Sequence, residues 1–167
     1  MPLLAAFDCL ATPAYKTLVV HDADADVSDS QAMERARHEV AASSGYQIYL
    51  WSFQDSARVR VRVHVWDELP RDDDQHWDGS ATLSLTCESG LLLVTELAQD
   101  VPGQWQLPAA GRYQVRVRWR NRQEMLDRVN AVEATYFTGG DIDYEQLRAR
   151  KAEFEGLEEY HLDMWQS

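Results

Sequence analysis

Hydrophobic and polar positions alternate along much of this chain, and the period lengthens where helices are expected. The clearest stretch is Arg58-Val-Arg-Val-Arg-Val-His-Val65, where Val59, Val61, Val63 and Val65 share one face. Strict period-two alternation predicts a half-buried antiparallel strand. The pattern recurs over 80–87, with Leu83, Leu85 and Cys87 on one face, and over 112–119. There Tyr113, Val115, Val117 and Trp119 lie opposite Gln114, Arg116 and Arg118. It closes the chain at 159–165, where Tyr160, Leu162 and Met164 alternate with His161, Asp163 and Trp165. Lys16–His21, Tyr46–Phe53 (apolar on both sides) and Trp105–Leu107 read as further strands. Glu88-Ser-Gly90 reads as a tight turn that makes 80–96 a hairpin.

Met33, Ala36 and Val40 at helical spacing predict a helix over 30–42, with Ser28 to Gln31 offering a capping box. Residues 123–137 are ambiguous in pattern. Met125, Val129, Val132 and Tyr136 fit a helix that Gly139-Gly140 would end. Asp143–Glu155 carries Tyr144, Leu147 and Phe154 on one helical stripe. Short strands separated by turn signals predict a mainly β chain. The expected fold is an antiparallel β-sandwich of about seven to eight strands with two or three peripheral helices. Residues 1–167 are read as one domain, with 123–157 a helical insert before the last strand.

With 167 residues, 45% of them hydrophobic and 10% aromatic, the chain can build a core, which argues against disorder. Two cysteines, Cys9 and Cys87, rule out a disulfide framework and a cysteine-based zinc site. No apolar run approaches the roughly 18 residues of a membrane helix. The start, Met1 to Asp8, lacks the basic region of a signal peptide, so the expectation is a soluble cytoplasmic protein without a membrane role.

The net charge of −12 disfavours nucleic acid and favours a basic partner. Charge is unevenly spread. Segments 57–66 and 111–122 hold eight arginines and no acid. If those strands were neighbours, Arg58, Arg60 and Arg62 with Arg116, Arg118 and Arg120 would form a ladder. A ladder is either a phosphate-binding surface or a face covered by acidic helices, for example by Glu145, Glu153, Glu155 and Glu158. The acidity of the remainder weighs towards a covered face.

Asp22-Ala-Asp-Ala-Asp26 begins like a calcium loop. Its sixth position is Val27 rather than Gly and its twelfth is Met33 rather than Glu, which leaves a solvated loop before a helix. Asp72, Asp73, Asp74, His76 and Asp78 flank Trp77 in one charged loop. Carboxylates beside an aromatic suit docking to a basic protein surface, with Trp77 as anchor. Asp141, Asp143 and Tyr144 offer a second such patch. No nucleophile, zinc-protease or phosphate-loop motif is present, and the five histidines form no i, i+4 pair. A hydrolase would have to assemble its Asp and His residues in space. No cofactor is implied. Six tryptophans are many for this length and could instead stack on a small molecule or carbohydrate if exposed.

Several stretches together resemble the competence protein J family, small bacterial inhibitors of a DNA-entry nuclease. They are the early strand Lys16–Asp22 with its Asp-rich loop and Ala-rich helix, Tyr46–Leu50, and the Val-alternating strand 58–65. Ser89-Gly-Leu-Leu-Leu-Val94, Leu107-Pro-Ala-Ala-Gly-Arg-Tyr-Gln-Val115 and the closing strand 159–165 complete the set. The resemblance covers most of 16–122 and the end. Residues 123–157 have no match in the family, and no family binding residues carry over. It implies a non-enzymatic protein that binds and neutralises a nuclease or toxin. The chemical reading then places the partner surface at Asp72, Asp73, Asp74, Trp77 and Asp78, with Asp141, Asp143 and Tyr144 as a second patch. The alternative is a small-molecule or carbohydrate-binding sandwich.

Overall fold

A computed structural model describes residues 2–98, 100–137 and 140–166. The strands are β1 (Leu3–Ala11), β2 (Thr17–Asp22), β3 (Ala41–Ser43), β4 (Gln47–Trp51), β5 (Val59–Trp66), β6 (Gly79–Cys87), β7 (Leu91–Glu96), β8 (Gly103–Gln106), β9 (Gly111–Arg120) and β10 (Glu159–Trp165). Helix α1 (Ser30–Glu39) follows β2, and α2 (Arg122–Phe137) and α3 (Tyr144–Ala152) precede β10. The first sheet runs β1-β5-β10-β9-β6 and the second β3-β4-β2-β7-β8. The mainly β class and the sandwich follow from the alternation. The described residues form ten strands rather than seven or eight, and one pairing, β5 with β10, is parallel.

Alternation sets which face is buried. Val59, Val61, Val63, Val115, Val117, Leu162 and Met164 point inward and join Leu18, Val20, Ile48, Leu50, Leu92 and Val94 of the other sheet in one core. Met125, Val129, Leu147 and Phe154, from the helical segment, pack into the same core. The second sheet is apolar on its outer side too, because α1 covers it. Ala32 and Ala36 pack on Val19, Ala42 and Tyr49. That is why Tyr46–Phe53 shows no polar face. No helix among the described residues is long and apolar enough to cross a membrane.

Four local expectations are corrected. The cap of α1 is Asp29, whose carboxylate accepts from the N–H groups of Gln31 and Ala32 (2.9 and 3.0 Å), rather than a box opened at Ser28. The helix stops at Glu39, because Val40 turns to φ 72°, a left-handed conformation that β-branched residues rarely adopt. The 80–96 hairpin does not form. β6 pairs with β9, while β7 pairs with β2 and β8, so the Glu88–Gly90 turn crosses between sheets. Buried Asp22 holds that turn, accepting from the N–H and hydroxyl of Ser89 (2.8–3.2 Å) and the N–H of Gly90 (3.0 Å). Strand β1 was not foreseen. It is an edge strand of Leu, Ala, Asp and Cys without clean alternation, tied in by Phe7 stacking on Trp105 of β8 at 5.3 Å. Gly139, expected to end α2, lies outside the described residues; the helix runs to Phe137.

Candidate functional site

The arginine strands β5 and β9 are not neighbours. The last strand, β10, lies between them and supplies the acids that a ladder of like charges requires. Glu159 sits opposite Arg60 and Arg120, His161 opposite Arg62 and Arg118, and Asp163 opposite His64 and Arg116. Asp163 is only 1% exposed. Its Oδ1 accepts from Trp66 Nε1 (2.8 Å) and His161 Nε2 (3.2 Å), and its Oδ2 from Nη2 of both Arg116 and Arg118 (2.9 Å each). Burial opposes ionisation here, but these donors outweigh it and hold the carboxyl well below the usual carboxylate range. Glu159 takes Arg120 at 2.6 Å and lies 3.2 Å from Arg62. Asp8 of β1 pairs with Arg60 at 3.3 Å. Of the helical acids expected to cover the ladder, Glu155 alone does so, on Arg58 (2.8 Å). Glu153 pairs instead with Arg150 of its own helix, and Glu158 is buried between the sheets.

The cover comes from the acidic loop itself, which folds back across the sheet. Asp72 pairs with Arg116 (2.7 Å), Asp73 with Arg118 (3.1 Å), and the Gln75 side-chain Oε1 accepts from Arg120 (3.0 Å). Half-buried Trp77 lies 4.8 Å from the Arg118 guanidinium and 4.4 Å from that of Arg120, with its edge to His161 at 5.7 Å. Asp73 also accepts from Trp77 Nε1 (3.2 Å). Asp78 accepts from the Asn121 N–H (2.8 Å) and neighbours His76 (3.2 Å), while Asp74 is exposed. A side chain on Gly79 would collide with the Trp119 ring, so only glycine lets the loop re-enter the sheet here. The five proposed loop residues are thus together in space. Asp72 and Asp73 already hold arginines of their own chain, although the Asp72 side chain remains 90% exposed. In the second patch, Asp141 and Tyr144 are exposed and Asp143 caps α3 by accepting from the Gln146 N–H (3.0 Å).

The fold also assembles what the sequence scatters. His64 and His161 meet at 4.5 Å between ring centres, and with Asp163 they bring three potential ligand atoms within 4.8 Å. Both Asp163 oxygens are already occupied, and two guanidiniums adjoin them, so the group is an ion-pair network ill-suited to a cation. The three residues line neither of the two concavities described for this molecule.

The larger concavity is an open groove of about 700 Å³ on the other sheet's side, and the sequence reading did not anticipate it. Asp22, Asp24, Asp26, Asp29 and Glu88 line it with exposed Val27 and Tyr46, and no Lys or Arg contributes. Asp22 and Asp29 serve the local fold. Among the described residues no cation pairs with Asp24, Asp26 or Glu88. A signal was present in the sequence: no Lys or Arg occurs between Thr17 and Glu34. The contribution of Glu88 was not legible, because it depends on the turn that crosses between sheets. None of the six tryptophans is exposed, so no stacking platform forms.

No family model matches the chain, and no curated protein matches it. Two solved structures do. ComJ from Bacillus subtilis, described as an inhibitor of the DNA-degrading activity of NucA, aligns with 99% of this chain and 98% of its own, at TM-score 0.60 and 9% identity. The product described as crocagin biosynthetic gene J aligns with 97% and 98%, at TM-score 0.57 and 15% identity. The alignments span the helical segment 123–157 as well, so the whole chain, and not only the stretches first compared, has the ComJ-like fold.

Proposed function

We propose that this chain is a non-enzymatic inhibitor or immunity-type protein of the bacterial cytoplasm that binds and neutralises a basic nuclease or other toxin. The observation that carries this reading is a fold shared from end to end with a nuclease inhibitor. Charge supports it: a body at −12 steers a basic protein towards itself and raises the association rate above the neutral range. Two acidic surfaces offer themselves. The groove at Asp24, Asp26 and Glu88, rimmed by Tyr46 and Val27, has carboxylates free of internal cations and an apolar rim for an inserted basic side chain. The loop adds Asp72, Asp73, Asp74, Trp77 and Asp78, and Asp141, Asp143 and Tyr144 extend the acidic surface.

The test is to pass source-cell lysate over the immobilised chain at low salt, elute with rising salt, and assay the eluted protein for DNA degradation with and without added chain. Retention of a basic nuclease that the chain inhibits is the expected result. Retention of no basic protein, or undiminished DNA degradation, overturns the reading. Comparison of Asp24→Asn/Asp26→Asn/Glu88→Gln with Asp72→Asn/Asp73→Asn/Asp74→Asn then identifies the surface used.

A further inference from the structure

The acidic loop behaves as an internal occupant of the arginine face. Five arginines of β5 and β9 face three carboxylates of their own sheet, so the uncovered face is electropositive although the whole chain is strongly negative. At about 0.1 M salt, charges beyond roughly 10 Å are screened, so a ligand on this face meets the local sign rather than the net one. The loop over 71–76, three carboxylates against Arg71, offsets that charge.

The loop is pinned at both ends. Pro70 is buried at one end. At the other, the Asp78 N–H donates to the Trp119 carbonyl at 2.8 Å. Residues 71–76 between these posts are all exposed. Their hold on the sheet includes three side-chain pairs, one to each of Arg116, Arg118 and Arg120. Those arginines lie two residues apart on one strand, a repeat of about 6.8 Å. That spacing suits successive phosphates of an extended single strand. Beneath the loop, the Arg118 side chain is 8% exposed, and its Nε has no acceptor among the described residues. The carboxylates therefore satisfy this buried guanidinium incompletely. Trp77 sits beside the pinned end over Arg118 and Arg120, where a base could stack once the loop lifts.

We propose that residues 71–76 are an autoinhibitory strap over a phosphodiester-binding face of β9, and that lifting the strap uncovers a site for single-stranded nucleic acid. Asp72 and Asp73 stand where phosphates would lie, and Arg116, Arg118 and Arg120 grip the backbone. The closed strap accounts for an arginine-rich face on a chain whose composition otherwise repels nucleic acid.

The experiment compares the wild-type chain with Asp72→Asn/Asp73→Asn/Asp74→Asn, using a fluorescent single-stranded DNA dodecamer read by polarisation between 20 and 200 mM salt. Inorganic phosphate serves as competitor. The strap variant is expected to bind at least tenfold more tightly than wild type, with affinity falling as salt rises. Adding Arg116→Gln/Arg118→Gln should abolish that gain. Displacement by millimolar phosphate alone would reassign the face to free phosphate and overturn the strand. Binding no tighter than wild type in a variant with an unchanged melting temperature, or binding that survives loss of both arginines, overturns the strap. Should the variant not fold, hydrogen exchange of residues 70–78 in the wild-type chain decides. The dodecamer should accelerate exchange there if it displaces the strap, and unchanged exchange refutes the proposal. The outcome is separable from the inhibitor reading, because partner capture and oligonucleotide binding are measured independently.

Discussion

Two buried acids show how position alone gives opposite titration behaviour. Glu158 is fully buried between the sheets, where its Oε1 accepts from Ser52 Oγ at 3.0 Å and its Oε2 lies 2.5 Å from the Tyr160 hydroxyl. Tyr160 also lies 3.1 Å from the Trp51 carbonyl. The Tyr160 hydroxyl donates to Glu158 Oε2, the shorter of its two contacts. Burial raises this carboxyl above the ordinary 4.5, and it outweighs the hydrogen bonds that oppose it. The unfolded chain then ionises first, so the contribution is complete below 4.5 and is lost as pH rises through the folded value. Glu158→Gln, which keeps the shape and removes the charge, should stabilise the fold at pH 8 and flatten the alkaline side of a melting-temperature profile. Asp163 has the reverse sign. Its folded pKa is depressed, so its stability is present above about 3.8 and is lost as pH falls further. Asp163→Asn leaves buried Arg118 and half-buried Arg116 without their common acceptor and should cost about 3–5 kcal/mol in urea unfolding at pH 7.

At the scale of elements, β10 joins the far end of the chain to its middle. It pairs with β5 on one side and β9 on the other over its full length, and it brings Glu159 and Asp163 between two rows of arginines. A chain ending at Leu157 should therefore lack cooperative unfolding, with the β signal lost by circular dichroism. Leu162→Ala, a smaller injury at a site with 0% exposure, should cost about 2–5 kcal/mol while leaving the transition cooperative. The periodicity of β5, β6, β9 and β10 was legible because each has one apolar face. The β6–β7 turn was misread as a hairpin because a tight turn looks the same whether it reverses a strand within a sheet or passes it to the opposite one. What distinguishes the two is Asp22, 67 residues before Ser89, gripping the turn.

For the whole molecule, charge is segregated rather than spread. Acids without cation partners gather at the groove, and arginines gather on one sheet face beneath a strap of opposite sign. Association with a basic protein should weaken as salt rises, mainly through the on-rate. Asp24→Asn/Asp26→Asn/Glu88→Gln should flatten that dependence in stopped-flow measurements while leaving the melting temperature nearly unchanged, since no cation among the described residues pairs with these carboxylates.

The sequence by itself determined the β class, most strand positions, the helical stripe of Asp143–Glu155 and the acidic balance. Alternation, helical spacing and charge are local properties that survive without knowledge of partners. It also grouped the loop carboxylates with Trp77, because they are neighbours along the chain. Tertiary structure alone decided that β10 separates the arginine strands, that Asp72 and Asp73 face their own Arg116 and Arg118, and that Glu88 meets Asp24 and Asp26 across a groove. Each depends on strand order and on pairs far apart in sequence. Strand order is fixed by how the two sheets bury one shared core, and no periodicity within a single strand encodes it.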